Sequence, residues 1–272
     1  MSDIPLLVNP QWVRDHPDVR LLDLRWSPKA TKARQKYEEG HLPGAAFVDL
    51  DRDLSRPGGP GRHPFPSAEQ FAQVLSRLGI GPQTHAVVYD EGPSSIAARL
   101  WFMLRAFGHA RASVLDGGMR AWTEAGFALT RDEPRIAPAP LRELALDRSR
   151  IAEIDEVAAR RSVVLDARAP ERYRGEVEPL DRKAGHIPGA LNAPFASNLG
   201  EDQRFRPPAE LARLYERYGD EVIVSCGSGV TACHDALAME LSGRRPPRLY
   251  VGSFSGWIED DARPVATGPE PG

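Results

Sequence analysis

The sequence predicts an α/β protein made of two tandem copies of one domain, each a mostly parallel sheet flanked by helices on both faces. Short continuous apolar runs alternate with segments of helical periodicity, which is typical of a parallel sheet covered on both sides. Several motifs occur twice in the same order. A length of 272 residues suits two domains of ordinary size, and a composition of 41% hydrophobic and 27% charged residues is that of a globular protein.

The internal repeat is clearest in a Gly-His-x-Pro-Gly-Ala motif, which occurs at Gly40–Ala45 and again at Gly185–Ala190. Three further landmarks recur in matching order. They are an apolar run ending in Asp-x-Arg (Val19–Arg25 and Ser162–Arg168), a second apolar run (Ala86–Asp90 and Val222–Cys226) and a segment ending in Trp (Asp116–Trp122 and Val251–Trp257). The four matches indicate a duplicated domain.

Strands are expected at the apolar runs, and helices where apolar residues recur at helical spacing. Ser67 is the expected N-cap of one helix, and Gly79 its stop. In the first half the predicted elements are strand Val19–Leu22, a helix around Arg34–Glu39, helix Ala68–Leu78, strand His85–Tyr89, helix Ser95–Phe107, strand Ser113–Leu115 and a helix near Met119–Ala125. In the second half they are strand Val163–Leu165, helix Ala209–Tyr218, strand Val222–Ser225, helix Thr231–Leu241, strand Arg248–Tyr250 and helix Phe254–Ile258.

The proline-rich, aperiodic stretch at 131–140 is predicted to link the two domains. We therefore expect a first domain over residues 1–140 and a second over 141–272, with 264–272 as a polar tail. Because only the second half has a cysteine at the end of its second strand, the first is expected to be a scaffold that forms part of the substrate cleft.

A single cysteine, Cys226, follows the strand Val222–Ser225 and precedes a glycine-rich loop and a helix. Such a loop can turn its N–H groups inward, and the helix N-terminus adds positive potential, so both stabilise a thiolate. Packing as a small apolar side chain is the alternative, and the Gly-x-Gly setting disfavours it. We predict that Cys226 is a nucleophile and that a persulfide on it is stabilised by the loop residues Gly227, Ser228, Gly229, Val230 and Thr231.

The bulk properties exclude several classes of function. A net charge of −3 gives no reason to expect nucleic acid or an anionic membrane as a partner, and no apolar stretch is long enough to cross a bilayer. Met1–Pro5 has no basic start followed by an apolar core, so no signal peptide is expected. Cys226 and Cys233 are poorly spaced for a disulfide and wrongly spaced for zinc. We expect a cytoplasmic protein without a metal or organic cofactor.

The tandem halves, the His-Ile-Pro-Gly-Ala motif, Asp166-Ala167-Arg168 and the cysteine loop resemble the two-domain rhodanese-type sulfurtransferases over nearly the whole chain. The loop from Cys226 to Thr231 is most similar to that of the 3-mercaptopyruvate group. The resemblance implies that a sulfane sulfur moves from a small donor, through a persulfide, to a small thiol, a thioredoxin-like protein or cyanide. The oligomeric state is not implied.

The resemblance also implies residues that bind the donor. Arg172 matches the family arginine that binds substrate, and a guanidinium can hold a carboxylate in a bidentate manner. Arg182 is the nearest match to a second arginine, with Lys183 as its rival. His41 corresponds to a histidine that lines the site in the mercaptopyruvate group, although its duplication as His186 favours a structural role.

The donor stays open between 3-mercaptopyruvate and thiosulfate. Ser228 and Thr231 are neutral, which suits a monoanionic 2-oxo acid better than a dianion. Some members of the family have an acid where alignment places Lys32, and a lysine near the site would favour an anionic donor such as thiosulfate. A cysteine phosphatase would need an arginine at the position of Ala232. A module that only relays persulfide to a partner protein would share the same loop.

Overall fold

The computed structural model describes residues 4–27 and 30–272, with the side chains at 30 and 31 excepted. Met1–Asp3, part of the N-terminal segment considered above, lie outside the described residues. The chain divides into two compact units. Unit 1 contains the described residues up to Arg56, together with Pro66–Asp147 and Glu201–Arg204. Unit 2 contains Pro57–Phe65, Arg148–Gly200 and Phe205–Gly272, so each unit incorporates a short loop from the other half of the chain.

Unit 1 is organised around a parallel sheet whose strands lie in the order β1–β5–β4–β2–β3. The strands are β1 (Leu7–Val8), β2 (Arg20–Arg25), β3 (Ala46–Asp49), β4 (Ala86–Tyr89) and β5 (Ala112–Leu115). The helices are α1 (Pro10–Asp15), α2 (Ala30–Glu39), α3 (Leu50–Asp53), α4 (Ala68–Arg77), α5 (Ala97–Ala106) and α6 (Gly118–Glu124). Ser67 caps α4 as predicted, because its hydroxyl accepts the Gln70 N–H and the Gln70 side chain accepts the Ser67 N–H.

Unit 2 has a parallel sheet in the order β7–β6–β8–β9. The strands are β6 (Val163–Asp166), β7 (Leu191–Asn192), β8 (Val222–Ser225) and β9 (Arg248–Leu249). The α-helices are α7 (Ile154–Ala158), α8 (Pro170–Tyr173), α9 (Pro208–Tyr215), α10 (Ala232–Leu241) and α11 (Ser253–Trp257). The 3-10 helices are Arg148–Arg150, Phe195–Asn198 and Glu216–Tyr218.

The predicted fold class is confirmed, and the predicted strands and helices recur in type and order. Elements that the sequence did not predict include β1, β7 and α8, each of two to four residues. Segments this short contain too few residues to display a period, so only their tertiary contacts define them. Within the described residues, no helix combines the length and apolar character needed for a membrane crossing.

The stretch at 131–140 does not run free between the units. Residues 131–147 form neither helix nor strand, and they are hydrogen-bonded along unit 1. Ala139 exchanges hydrogen bonds with Ser76, and the Asp147 N–H donates to the Ala106 carbonyl at 2.8 Å. The compact units divide after Asp147, whereas the proline content placed the boundary near residue 140.

The matched His-x-Pro-Gly turns have the same construction in both units. His41 is fully buried, stacks on Tyr37 with a 3.8 Å centroid separation, and its ring nitrogens lie 2.8 Å from the Tyr37 carbonyl and 3.2 Å from that of Asp132. His186 is likewise buried and stacked on Tyr173. Both nitrogens of His41 face backbone carbonyls of its own unit, an environment that favours a structural role. Substrate binding by His41 stays a prediction, and these buried contacts do not support it.

The predicted polar tail is also held by its turn. Ala266 forms an antiparallel bridge with His186, and the carbonyls of Glu270 and Pro271 lie 3.1 and 3.3 Å from the outer nitrogen of that ring. Thr130 and Asp132 contact His41 in the same way in unit 1. In each unit the histidine thus ties a later segment of the chain to the turn, so the repeated motif makes the same kind of contact in both units.

Because of His109, the free energy of unfolding should fall as the pH is lowered. Burial and the charge of Arg142, whose guanidinium lies 3.1 Å from Nδ1, lower the pKa of His109 to about 4. The unfolded chain takes up this proton near pH 6.5, so between pH 6.5 and about 4 it binds more protons than the native state. The free energy of unfolding should drop by up to roughly 3 kcal/mol across that window. Urea titrations at pH 7 and pH 4 measure the drop.

His109→Asn is the matched variant for this prediction. An asparagine oxygen can still accept the Arg142 hydrogen bond, but it takes up no proton in this range. The variant should lose less stability on acidification than the wild type does. An equal loss in both proteins would show that other groups account for the pH dependence.

Candidate active site

Cys226 directly follows β8, the strand that lies between β6 and β9 at the centre of the unit 2 sheet. It is buried, with 2% of its surface exposed. Its N–H donates to the Ser253 hydroxyl at 3.1 Å, and its carbonyl accepts the Phe254 N–H at 3.0 Å. Ser253 has a left-handed φ of 52°, a costly conformation for serine that places it to hold this loop. The start of α11 therefore fixes the backbone of the cysteine.

The loop continues from Gly227 to Thr231, and α10 begins at Ala232. Gly229 has a φ of 72°, which glycine adopts without strain, so the chain turns sharply into the helix at this point. Cys233, fully buried in the first turn of α10, donates from its thiol to the Gly229 carbonyl at 3.3 Å. This hydrogen bond connects the first turn of α10 to the loop that follows Cys226.

In unit 1, the loop that matches the Cys226 loop surrounds a buried carboxylate. Asp90 follows β4 and is buried, and its carboxylate accepts main-chain N–H groups from Gly92, Ser94, Ile96 and Ala97 at 2.9–3.1 Å. Burial raises the pKa of Asp90, and the four amides oppose that rise. In the loop after β4, main-chain amides thus surround a carboxylate. An aspartate cannot carry sulfur, so this half has no nucleophile at the place of Cys226.

Arg172 lies on α8, and its guanidinium reaches the Cys226 loop. An ideal Cβ built on Gly227 would lie 3.5 and 3.6 Å from the two terminal nitrogens of Arg172. The same guanidinium donates to Glu178 at 2.7 Å and to Asp181 at 3.3 Å. The structure therefore brings this predicted substrate arginine to the residue that follows Cys226.

Two residues near the Cys226 loop come from a segment for which the sequence predicted no role. The loop 57–65 belongs to unit 2, and in it Arg62 lies 2.9 Å from the Cβ position of Gly227 and is ion-paired with Asp181. His63 Nδ1 lies 2.8 Å from the Ser228 hydroxyl, with both side chains buried. An Arg-His pair inside a Gly/Pro-rich stretch was the available signal, but neither periodicity nor the repeat marks it.

Contacts with α11 and the segment after it hold the loop 57–65 in place. The Gly61 N–H donates to Glu259 at 2.7 Å, and the Arg62 N–H donates to the Ser255 hydroxyl at 3.1 Å. Gly61 has a φ of 80°, and a Cβ there would lie 2.6 Å from the Gly252 carbonyl oxygen. Only glycine permits this close approach, so the side chains of Arg62 and His63 are delivered to the Cys226 loop at fixed positions.

Arg182 and Lys183 do not join this group. Arg182 donates to the Ile258 carbonyl and to Asp261 at 2.6 Å, and Lys183 pairs with the same Asp261 at 3.0 Å. Half of the Arg182 side chain is exposed. Lys32 is an exposed residue of α2 in unit 1. Neither Arg182 nor Lys183 has a contact with the Cys226 loop among those of the described residues, whereas Arg62 lies beside Gly227.

The pKa values of Glu178 and Asp181, the two acids beside Arg62 and Arg172, are shifted in opposite directions. Burial opposes ionisation of Glu178, but Arg172 and the N–H groups of Leu180 and Asp181 outweigh it and lower its pKa. Burial raises the pKa of Asp181, aided by Glu178 and opposed by Arg62 and Arg172. Two guanidiniums and two carboxyls make this cluster beside the Cys226 loop formally neutral.

Arg168 connects the cluster to the strand end. Its guanidinium donates to Asp166 at 2.7 Å and to Glu178 at 3.3 Å, and it lies 4.3 Å from the Phe254 ring centre. Burial acts to lower the pKa of Arg168, but Asp166, Glu178 and Cys226 together raise it. The positive charge is therefore stabilised within electrostatic reach of the sulfur. In the described part of the chain, no three His, Cys, Asp or Glu side chains are grouped to hold a metal ion.

This arrangement defines a class of protein. A family model of the rhodanese-like domain matches residues 9–125 and 151–260, so the chain belongs to the rhodanese-like family and carries one such domain in each half. The loop that contains Cys226 lies in the second domain. The chain is a two-domain sulfurtransferase of the rhodanese type.

Particular relatives resemble nearly the whole chain. A Pseudomonas aeruginosa protein described as a probable 3-mercaptopyruvate sulfurtransferase is 44% identical, covering 98% of this chain and 100% of its own. The thiosulfate sulfurtransferase of Cricetulus griseus is 38% identical over 93% of this chain and 91% of its own. The crystal structure of SseA from Escherichia coli, described among 3-mercaptopyruvate sulfotransferases, has a TM-score of 0.80 at 31% identity and covers 92% of this chain and 99% of SseA. Relatives named for 3-mercaptopyruvate and relatives named for thiosulfate both match this chain. Overall similarity therefore does not distinguish the two donors, and the choice between them rests on the geometry of the site.

Proposed function

We propose that the protein is a 3-mercaptopyruvate sulfurtransferase that carries sulfur as a persulfide on Cys226 and passes it to a thiol or to cyanide. The observation that carries this proposal is the position of Arg172, whose guanidinium lies beside Gly227, next to the nucleophile. A guanidinium there can bind the donor carboxylate while the donor sulfur faces Cys226. The relatives named for 3-mercaptopyruvate support the same donor.

In the first step, the Cys226 thiolate attacks the donor sulfur. An S–S bond forms and the C–S bond of mercaptopyruvate breaks, and its electron pair passes to the carbon as the enolate of pyruvate. One proton then converts the enolate to pyruvate. The Ser228 hydroxyl, held 2.8 Å from His63, is placed in the loop to donate a hydrogen bond to the developing oxyanion.

In the second step, an acceptor thiolate or cyanide attacks the outer sulfur of the persulfide. The S–S bond breaks, its electrons return to Cys226 as a thiolate, and the acceptor leaves as a persulfide or as thiocyanate. Loop amides from Gly227 to Thr231 stabilise the charge on the outer sulfur between the two steps. The amides around Asp90 in unit 1 support this role, because the matching loop there binds an anion with four N–H groups.

The charge of the site favours mercaptopyruvate over thiosulfate. The positive charges of Arg62 and Arg172 are balanced by Glu178 and Asp181, so a dianion would enter a site with no net positive charge. Thiosulfate stays the second candidate, because two guanidiniums lie beside the loop and because some relatives are named for it.

Unit 1 serves as a scaffold without chemistry of its own, since Asp90 stands where unit 2 has its cysteine. The acceptors are a small thiol, a thioredoxin-like protein or cyanide. We place the protein in the cytoplasm, where Cys226 and Cys233 stay reduced. A pure relay module would load one sulfur and release it only to a partner protein.

The proposal predicts a donor preference. With cyanide as acceptor, kcat/KM for 3-mercaptopyruvate should exceed that for thiosulfate by at least about tenfold, because a neutral cluster discriminates against the dianion. Initial rates of pyruvate and thiocyanate formation measure it. A preference for thiosulfate would overturn the choice of donor. Single-turnover loading without steady-state turnover on small thiols would instead identify a relay module.

A further inference from the structure

The space beside Gly227 is lined by two guanidiniums rather than one. A Cβ built on Gly227 would lie 2.9 Å from a terminal nitrogen of Arg62 and 3.5 Å from one of Arg172. The two arginines come from different segments, the loop 57–65 and α8, and converge on the residue after the nucleophile. Arg62 is 28% exposed and Arg172 is 19% exposed, so both retain access to solvent.

A single carboxylate joins these guanidiniums. One oxygen of Asp181 pairs with Arg62, and the other lies 3.3 Å from Arg172. The Asp181 side chain is only 3% exposed. A carboxylate bridging two arginines has the arrangement that a bound 2-oxo acid would need. Glu178 holds Arg172 independently at 2.7 Å, so Arg172 keeps a partner when Asp181 yields.

Resting on the proposed function, we propose that Arg62 and Arg172 together bind the donor carboxylate, and that Asp181 occupies their guanidiniums in the empty site and yields them to the donor. Arg62 is thus a specificity-determining residue contributed by the first half of the sequence. The donor carboxylate and the Asp181 carboxylate compete for the same two cations. Arg182, bound to Asp261 and the Ile258 carbonyl, takes no part.

The experiment measures donor affinity and turnover in the full chain. The Kd of 3-mercaptopyruvate is measured calorimetrically in Cys226→Ser protein, in which no sulfur transfer follows binding. Steady-state KM and kcat are measured in the active enzyme. Arg62→Ala should raise the Kd and KM for the donor by about tenfold or more, the usual effect of losing a hydrogen bond to a charged group. The KM for cyanide should stay unchanged. Arg62→Lys should be intermediate, because it keeps the charge but loses the fork.

Asp181→Asn distinguishes competition from a scaffolding role. Removing the competing charge should lower the donor Kd by roughly threefold. If Asp181 and Arg62 only fasten the loop 57–65, both variants should raise the Kd and lower the melting temperature, and that outcome would overturn the inference. Arg174→Ala is the matched control, since Arg174 pairs with Glu176 near α8 and has no part in the site.

The outcomes separate this inference from the proposed function. A wild-type enzyme that fails to turn over 3-mercaptopyruvate would refute the proposed function itself. An active wild type whose donor Kd is unchanged by Arg62→Ala would refute only the role of Arg62. A rise in Kd for Arg182→Ala but not for Arg62→Ala would assign the second arginine to Arg182 and likewise overturn the inference.

Discussion

Cys226→Ser is expected to lower sulfur transfer by at least about a thousandfold with either donor, since it removes the sulfur that attacks the donor in the first step and leaves as a thiolate in the second. A serine hydroxyl is not ionised at neutral pH and forms no persulfide. The cysteine lies at the end of the central strand, in a loop fixed by Ser253 and Phe254, so the substitution should leave the fold intact. Steady-state rates and intact mass after donor loading measure the effect, the latter by the absence of an added sulfur.

Cys233→Ser is the matched control for that variant. Cys233 is fully buried and its thiol donates to the Gly229 carbonyl, a bond that a serine hydroxyl can also make. Its activity should stay within about threefold of wild type, because a conservative change that keeps its hydrogen bond alters the loop little. Retained turnover in Cys226→Ser, or added sulfur on Cys233, would refute the mechanism.

Asp90→Ala is expected to lower the free energy of unfolding by roughly 4 kcal/mol, because it leaves four N–H groups, two of them in buried residues, without the acceptor they share. These groups belong to Gly92, Ser94, Ile96 and Ala97, which lead into α5. Asp90→Asn should lower the free energy of unfolding by less, since the amide oxygen of asparagine can still accept some of these four hydrogen bonds. Urea unfolding of the full chain, followed by circular dichroism, measures both.

Glu91→Ala is the control for that stability experiment. Glu91 neighbours Asp90 but pairs with Lys36 at the surface, where both side chains are about half exposed. Removing an exposed pair of this kind should change stability by less than about 1 kcal/mol. If Asp90→Ala cost no more than Glu91→Ala, the carboxylate would not be holding the loop, and the comparison with the Cys226 loop would lose its basis.

The local features of the site were readable from the sequence because each lies within a short segment. An apolar strand, a cysteine and a Gly-x-Gly turn are consecutive, and the duplication supplied Asp90 as an internal contrast. Arg172 was identified through family resemblance, and the structure places it beside Gly227. The Asp-x-Arg motif gained a physical reason in the structure, since Arg25 and Arg168 each donate to the carbonyl of the glycine before the buried histidine at 2.7 Å.

The sequence by itself therefore determined the duplicated α/β architecture, the position of Cys226 and the neutral character of its loop. Only the tertiary structure decided which side chains from distant segments meet there. Arg62 and His63 reach the loop because residues 57–65 join unit 2 through Gly61, Glu259 and Ser255. Contacts between segments so far apart in the chain leave no local periodicity, and for that reason the sequence pointed to Arg182, which lies near the repeated motif, and not to Arg62.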